Sequence, residues 1–419
     1  MKKLTTLVLT LISIFGFGQT AYITNYNSGT VSVINVQTNI IITTITNFSH
    51  PKGVSVSPDG SKVYVTNGLD VKVINTATNT ISASIGGGID PFGICVSPDG
   101  SRVYVSASGK LIVINTQTNT VIATINNISG SSSVGGVCVS PDGSKVYVIN
   151  SITNPGNVVI VNTSTNTIIG AIQVGTSPFG IAITPDGSKL FVANSGSNSV
   201  SVLNTATNTL ITNISIGSGS GPKGICVSPD GAKVYVTNYG DDRVIVINTS
   251  TNTVSATISG FSQPYGISIS PAGDKVLVAN NGNFGSAGNS VSVINTSTNT
   301  ISNTIDIVGG SAQPIAFGNF ISSYSIPTST ASPNIEKPII SVYPNPSCLS
   351  FNIETNLLSS TTIQTSITNT LGQTVYTFNE KANSGLYKKT IDINLAPGIY
   401  YLTLQTNEGR TTKKIEIIK

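Results

Sequence analysis

The stretch Gly53-Val54-Ser55-Val56-Ser57-Pro58-Asp59-Gly60-Ser61-Lys62-Val63-Tyr64-Val65-Thr66-Asn67 decides the fold. Two short β-branched runs flank a Ser-Pro-Asp-Gly turn. Pro presets φ at the second turn position, Asp bonds back to nearby backbone, and Gly accepts a positive φ. Lys62 to Thr66 alternates with the period of a strand. The same turn returns at Ser97–Gly100, Ser140–Gly143, Thr184–Gly187 and Ser228–Gly231, and a worn copy stands at Ser270-Pro271-Ala272-Gly273. The spacing is 40 to 44 residues. A fixed period of that length marks a repeat architecture.

Outward from this phrase, Val71–Ile74 is a third strand and Thr80–Ile85 a fourth, joined by the turn Asn75-Thr76-Ala77-Thr78-Asn79. Asn tolerates the left-handed region, and its side chain can bond nearby backbone. Four antiparallel strands per repeat make one blade of a β-propeller. The third-strand phrase begins at Val33, Val73, Val113, Ile160, Val202, Val246 and Val293, which gives seven blades. The first copy lacks its first strand and enters at Ala21-Tyr22-Ile23-Thr24-Asn25. A lone first-strand match stands far downstream at Gln313–Gly318. The ring is therefore expected to close with three strands from the N-terminal segment and one from the C-terminal segment.

Val63-Tyr64-Val65-Thr66-Asn67 and Val234-Tyr235-Val236-Thr237-Asn238 match the name motif of the YVTN-repeat β-propellers, and the Ser-Pro-Asp-Gly and Val-Ile-Asn-Thr-x-Thr-Asn-Thr phrases match as well. The resemblance spans roughly residues 20 to 322 and implies the propeller fold. That family includes surface-layer-like proteins, and related propellers bind varied ligands or carry cofactors. Fold alone licenses none of those activities.

Beyond the repeats, residues 323–337 are rich in Ser, Thr and Pro and read as a linker. Residues 338–419 then show Val342-Tyr343-Pro344-Asn345-Pro346, Leu371-Gly372-Gln373-Thr374-Val375, Leu395-Ala396-Pro397-Gly398-Ile399-Tyr400-Tyr401 and a closing Lys413–Lys419 run. Alternating strands with Gly turns predict a small β-sandwich. The ordered set resembles the C-terminal type A sorting domain of the type IX secretion system. That resemblance implies type IX machinery as partner of residues 338–419, and release or surface attachment of the passenger. An ordinary adhesive sandwich domain is the alternative. The expected fold class is all-β: a seven-bladed β-propeller of four-stranded blades at 19–322, followed by the small sandwich.

Composition narrows the function classes. The chain has 419 residues, 39% hydrophobic and 9% charged, with a net charge of +4. So thin a basic excess argues against a nucleic-acid partner, which needs clustered Lys and Arg. Met1-Lys2-Lys3 followed by the apolar run Leu4–Phe17 reads as a signal peptide, residues 1–18, rather than a membrane span. No later run is apolar enough for a transmembrane helix, so none is expected in the mature chain. Cys95, Cys138 and Cys226 share one slot, two residues before the turn Ser, which elsewhere holds Ser55, Ala182 and Ser268. A slot for a small side chain suits a buried free thiol. Cys95 and Cys138 lie in adjacent repeats, which leaves a disulfide open.

The turns after strands one and three are nearly constant, whereas the loops between strands two and three and between blades vary. The variable set shares one face, where binding usually resides. On that face most first strands open Pro-x-Gly. The x residues are Lys52, Phe92, Phe179, Lys223 and Tyr265, with Gly135 and Ile315 in degenerate copies. Three aromatics and two lysines near the channel mouth could take a ligand, since aromatic faces stack and ammonium groups meet anions. Packing between neighbouring blades is the favoured alternative, because periodic residues are usually architectural. His50, the sole histidine, reads as a loop residue. Asp241-Asp242-Arg243 is too sparse for calcium without help from backbone oxygens. The repeated Asp59, Asp99, Asp142, Asp186 and Asp230 are turn formers. No nucleophile elbow, phosphate loop or Cys-x-x-Cys motif is present, so no catalytic residue, cofactor or metal is expected. These observations point to an exported binding or scaffold module for a glycan, a peptide or an envelope protein. A structural surface-layer component is the alternative. A propeller hydrolase or lactonase fits less well, since the channel-proximal strands offer Val, Ile, Ser, Cys and Ala.

Overall fold

The computed structural model describes residues 18–86, 90–128, 134–219, 221–282, 289–307, 312–326, 341–343, 345, 347, 350–357, 361–369, 373–392, 395–406 and 409–418. Of the expected signal peptide only Gly18 lies among them, and it heads the first strand, Gly18–Asn25. The Leu371–Gly372 part of the sandwich motif and Cys348 also lie outside the described residues. The chain divides into two compact units, 1–328 and 329–419.

The first unit holds seven four-stranded antiparallel sheets, the blades. Blade 2 is typical: Pro51–Val56, Lys62–Asn67, Asp70–Asn75 and Thr80–Ile85 run in order from the channel outward. Blades 3 to 7 begin with inner strands Pro91–Val96, Val134–Val139, Pro178–Ile183, Pro222–Val227 and Pro264–Ile269. The middle strands are β-branched on both sides because both sides are covered. Tyr64, Val71 and Val73 of blade 2 pack with Val103, Val105 and Ile112 of blade 3. Tyr22, Tyr64, Tyr104, Tyr147 and Tyr235 are fully buried. Such apolar layers between successive sheets are the main stabilising term.

The constant turns consume their polar groups locally. The Ser57 hydroxyl donates to Asp59 Oδ1 at 2.7 Å, and the Ser61 N–H donates to the same oxygen at 3.0 Å. Asn75 Oδ1 accepts the Ala77 N–H at 2.9 Å, while Asn79, at φ 52°, turns the chain into strand four. Hydrogen bonds to the ionised form hold these carboxyls low. Ser140 and then Ser144 take Asp142 down to about 2, and Asp99, Asp186 and Asp230 are lowered by their own turn hydroxyls.

Two further networks join each blade to the next in one rotational sense. At the outset of strand two, Lys62 Nζ donates to Thr116 O of blade 3 at 2.6 Å. Arg102, Lys145, Lys189 and Lys233 repeat the bond to Thr163, Thr205, Thr249 and Thr296. Lys275 carries the series from blade 7 to blade 1 by donating to Val36 O at 2.7 Å. Nearer the channel, the Thr of the Val-Tyr-Val-Thr-Asn phrase reaches across. The Thr66 hydroxyl donates to Phe92 O at 3.0 Å, Thr237 to Tyr265 O at 2.7 Å and Thr24 to Lys52 O at 2.7 Å. The Gly of Pro-x-Gly permits this approach: a Cβ on Gly224 would stand 2.4 Å from Tyr265 O.

Blade 1 closes the ring with strands Gly18–Asn25, Thr30–Asn35 and Ile40–Ile45 plus one strand from far downstream. Its inner edge differs from the expected Gln313–Gly318 strand. The regular strand is Ile321–Ile326, which pairs with Gly18–Asn25 and takes in residues expected as linker. The Gln313–Gly318 segment makes only isolated bridges, Asn25 with Pro314 and Gly53 with Phe317. In blade 2, Pro51 faces Asn67 and Val56 faces Val63. In blade 1, Pro314 faces Asn25 but Ile321 faces Ala21. The seam strand is thus two residues longer between the same landmarks. It accommodates the excess with positive φ at Ala316 and Gly318.

The second unit is a small β-sandwich. Ser341–Tyr343, Ser350–Leu357 and Gly385–Asp392 form one sheet, and Thr374–Ala382, Thr361–Asn369, Gly398–Thr406 and Gly409–Ile417 the other. Phe351, Ile353 and Ile391 of the first pack against Ile363, Leu402 and Ile415 of the second. The Asn345 side chain donates to Lys414 O at 3.0 Å and accepts the Glu416 N–H at 2.8 Å. It fastens the last strand to the beginning of its own domain.

Candidate functional site

The five x residues come together at the variable-loop end of the channel. The inner strands converge there, and the Thr-to-carbonyl bonds fix the backbone of Lys52, Phe92 and Tyr265. Phe92 meets Phe179 edge-on with ring centroids 5.3 Å apart, and Phe179 meets Tyr265 at 5.5 Å. At the centre stands Phe317, 5.6 Å from Phe92 and 5.2 Å from Phe179. Ile315, in the x position of the seam copy, lies beside the cluster instead. Phe317 holds the axis because the seam strand is longer. Its tip reaches blade 4, where a Cβ on Gly136 would stand 3.1 Å from it. Gly136 is the regular Gly of the repeated phrase, so the Phe317 tip rests where the repeat carries no side chain.

Below this plug the channel narrows to about 30 Å³, lined by Ile94, Val137, Ile181, Ile225 and Ile267. Among the described residues no group of three or more His, Cys, Asp or Glu could hold a metal. Cys95, Cys138 and Cys226 are free thiols, and burial pushes Cys95 up to about 11 and raises the other two. Ser55 Oγ, in the same slot, accepts the Val96 N–H of the next blade, and Cys95 is hydrogen-bonded by the Val139 backbone. These small side chains serve the contact between inner strands.

The two lysines differ. Lys223 Nζ lies 4.4 Å above the Phe179 ring and 6.0 Å from that of Tyr239. Burial lowers its pKa, and it is committed to the aromatic cluster. Lys52 Nζ is 5.7 Å from the Phe92 centroid and borders a cavity of about 260 Å³. The walls of that cavity are Tyr26, Phe92, Tyr265 and Phe317, with Ile315 beside them. Asn281 and Gln313 complete it. Their backbones are anchored, Tyr26 N–H to Gln313 O at 3.0 Å and Asn281 N–H to Gln263 O at 3.0 Å. Burial raises the Tyr265 hydroxyl pKa. Of the five expected site residues, Lys52, Phe92 and Tyr265 line this cavity, while Phe179 and Lys223 brace the plug. Tyr26, Asn281, Gln313 and Phe317 were not among the expected residues. Tyr26 and Asn281 had a positional signal, since each follows the Asn that ends strand two, and so had Gln313, which precedes the Pro that opens strand one.

The weaker candidates resolve into loop structure. His50, at φ 54°, has its ring 4.8 Å from that of Tyr26. Asp242 Oδ1 accepts the Gln263 N–H, and Asp241 accepts from Asn238 Nδ2. The longest variable loop, residues 283–288, lies outside the described residues.

Comparison with known proteins agrees with this architecture. Residues 341–419 match the family described as the secretion system C-terminal sorting domain. Residues 186–287 match the YNCE-like beta-propeller family, and residues 104–215 the seven-bladed lactonase beta-propeller family. A chain of hydrazine synthase from Kuenenia stuttgartiensis superposes with a TM-score of 0.58 at 21% identity, over 66% of this chain and 92% of that one. A functionally unknown protein from Desulfotomaculum acetoxidans does so with 0.60 at 20% identity, over 71% and 99%. At such identities the likeness shows the fold alone. A search of curated proteins finds no match. The molecule is therefore a seven-bladed β-propeller. More particularly, it is a secreted propeller carrying a type IX sorting domain, which directs it to the cell surface or outside the cell. No helix among the described residues is long and apolar enough to cross a membrane.

Proposed function

We propose that this protein is a non-catalytic, exported glycan-binding module whose site is the cavity at the variable-loop mouth of the propeller. One observation carries this reading: the cavity joins aromatic walls to polar groups that have no other work. Neither the Asn281 nor the Gln313 side-chain amide has a hydrogen-bond partner among the described residues, and Lys52 forms no ion pair there. Aromatic faces pack on sugar C–H faces, and amides meet hydroxyl groups. Against a hydrolase, the channel is lined by aliphatic side chains and blocked by Phe317. Such sites need converging carboxylates and usually a metal. Type IX machinery acts on the second unit, and the propeller is the delivered part.

A glycan array probed with the secreted full-length chain and its Gln313→Ala and Lys52→Met variants tests this. Binding that both variants lose, at unchanged melting temperature, supports the reading. Absence of any glycan ligand, with the purified protein assembling into ordered sheets, would overturn it in favour of a surface-layer component.

A further inference from the structure

Resting on that glycan-binding reading, we infer that the cavity takes one acidic sugar ring, a hexuronate at the end of a chain, with its carboxylate on Lys52. Size comes first. At about 260 Å³ the cavity falls below the roughly 300 Å³ at which pockets for drug-sized ligands begin. One pyranose fills a space of that size, and further sugars of a chain would lie outside it. The arrangement comes second. The aromatic side chains form the walls, and the polar groups come from three successive places around the ring: Asn281 of blade 7, Gln313 of the seam and Lys52 of blade 2. A pyranose has the matching form, with apolar faces and a polar edge.

Charge decides the class. Among the described residues, Lys52 is the one ionised side chain lining the cavity, and no carboxylate lines it. Every ion pair among the described residues lies elsewhere, at Lys72–Asp70, Lys388–Glu354 and Lys389–Glu380. A half-buried ammonium beside aromatic rings gains most from an anion that reaches it, because the low local dielectric strengthens the pair. A phosphate would want more than one cation or an arginine fork, and the lining supplies neither. One carboxylate on a ring rich in hydroxyls satisfies Lys52 and both amides at once. Lys223, across the plug over Phe179, is the internal contrast: its ammonium already faces rings and is not part of the cavity.

Titration calorimetry of the full-length secreted chain with methyl glucuronide, methyl galacturonide and methyl glucoside tests the assignment. At least one uronide is expected to bind about tenfold or more tightly than the glucoside, as a charge-assisted bond in a half-buried site implies. Lys52→Met should abolish that preference at an unchanged melting temperature, and Lys223→Met should leave it. Equal binding of glucoside and uronide overturns the acidic-sugar assignment while the glycan-binding reading stands. Uronide preference that survives Lys52→Met overturns the placement. If none of the three binds although the array finds a glycan, the cavity is not the site. Failure of the array as well overturns the broader reading.

Discussion

The two ends of this propeller are built from the same residue types and use them in opposite ways. At the constant-turn end, the Asp, Asn and Lys of a typical repeat are committed: Asp59 to Ser57 and Ser61, Asn75 to its own turn, Lys62 to the next blade. At the mouth, Lys52, Asn281 and Gln313 border a cavity, and neither amide has a hydrogen-bond partner among the described residues. Polar groups that satisfy one another stabilise a fold; polar groups left facing a cavity are available to a ligand. The repeat is broken at the seam, where two extra residues lengthen the strand and bring Phe317 to the axis beside this cavity.

Substitutions can break the comparison. The largest effect is expected from Gly224→Ala near the mouth, where a Cβ would meet Tyr265 O at 2.4 Å. Forcing inner strands apart should cost about 3 kcal/mol, read by urea unfolding. A loss below about 1 kcal/mol would show that the strands can shift. Next comes Lys275→Met, which keeps the stem but removes the bonds to Val36 O and Gln37 O. About 2 kcal/mol should go, and a neutral result would show the ring of cations to be decoration.

Acid should act at the constant-turn end. The turn Asp carboxyls are lowered in the folded state, so each favours folding above its ordinary pKa near 4 and loses that contribution as pH falls through the folded value, about 2 for Asp142. Melting temperature should therefore fall between about pH 4 and 2. The slope should be shallower when Asp99, Asp142, Asp186 and Asp230 are all Asn, and an unchanged slope would refute the role of the turns. These groups are exposed, so each contribution is small. The smallest effect belongs to Lys52→Met, expected within about 0.5 kcal/mol of the parent. A larger loss would mean that Lys52 is structural, which would erase the contrast between the two ends.

Whatever repeats was legible. Seven third-strand phrases, Pro-Asp-Gly turns and αL asparagines each state a local rule several times over, and the closing Asn residues at 39, 79, 119, 166, 208, 252 and 299 all adopt positive φ. The inter-blade cations also left a signal, a Lys or Arg opening strand two in six copies and Thr20 in the other. Closure of blade 1 by a strand from far downstream was legible too, but its register was not, because a strand's register depends on its partner, and that partner lies about three hundred residues away. Taking Ile315 as the x residue follows the repeat, and Phe317 occupies the axis because the strand departs from it. Asn281 and Gln313 stand at regular places in the repeat, after the Asn that ends strand two and before the Pro that opens strand one, but the residue type at those places varies from blade to blade, so periodicity marked the places and not their use.

Closure carries a consequence for how the molecule is made. The strand that completes blade 1, Ile321–Ile326, is the last propeller element among the described residues, and the residues that match the sorting domain, 341–419, lie downstream of it. A nascent polypeptide that stops early therefore lacks the closing strand and its address label together. The gene order places the completed circle ahead of the passport, so no fragment short of a finished ring carries the signal that sends it out.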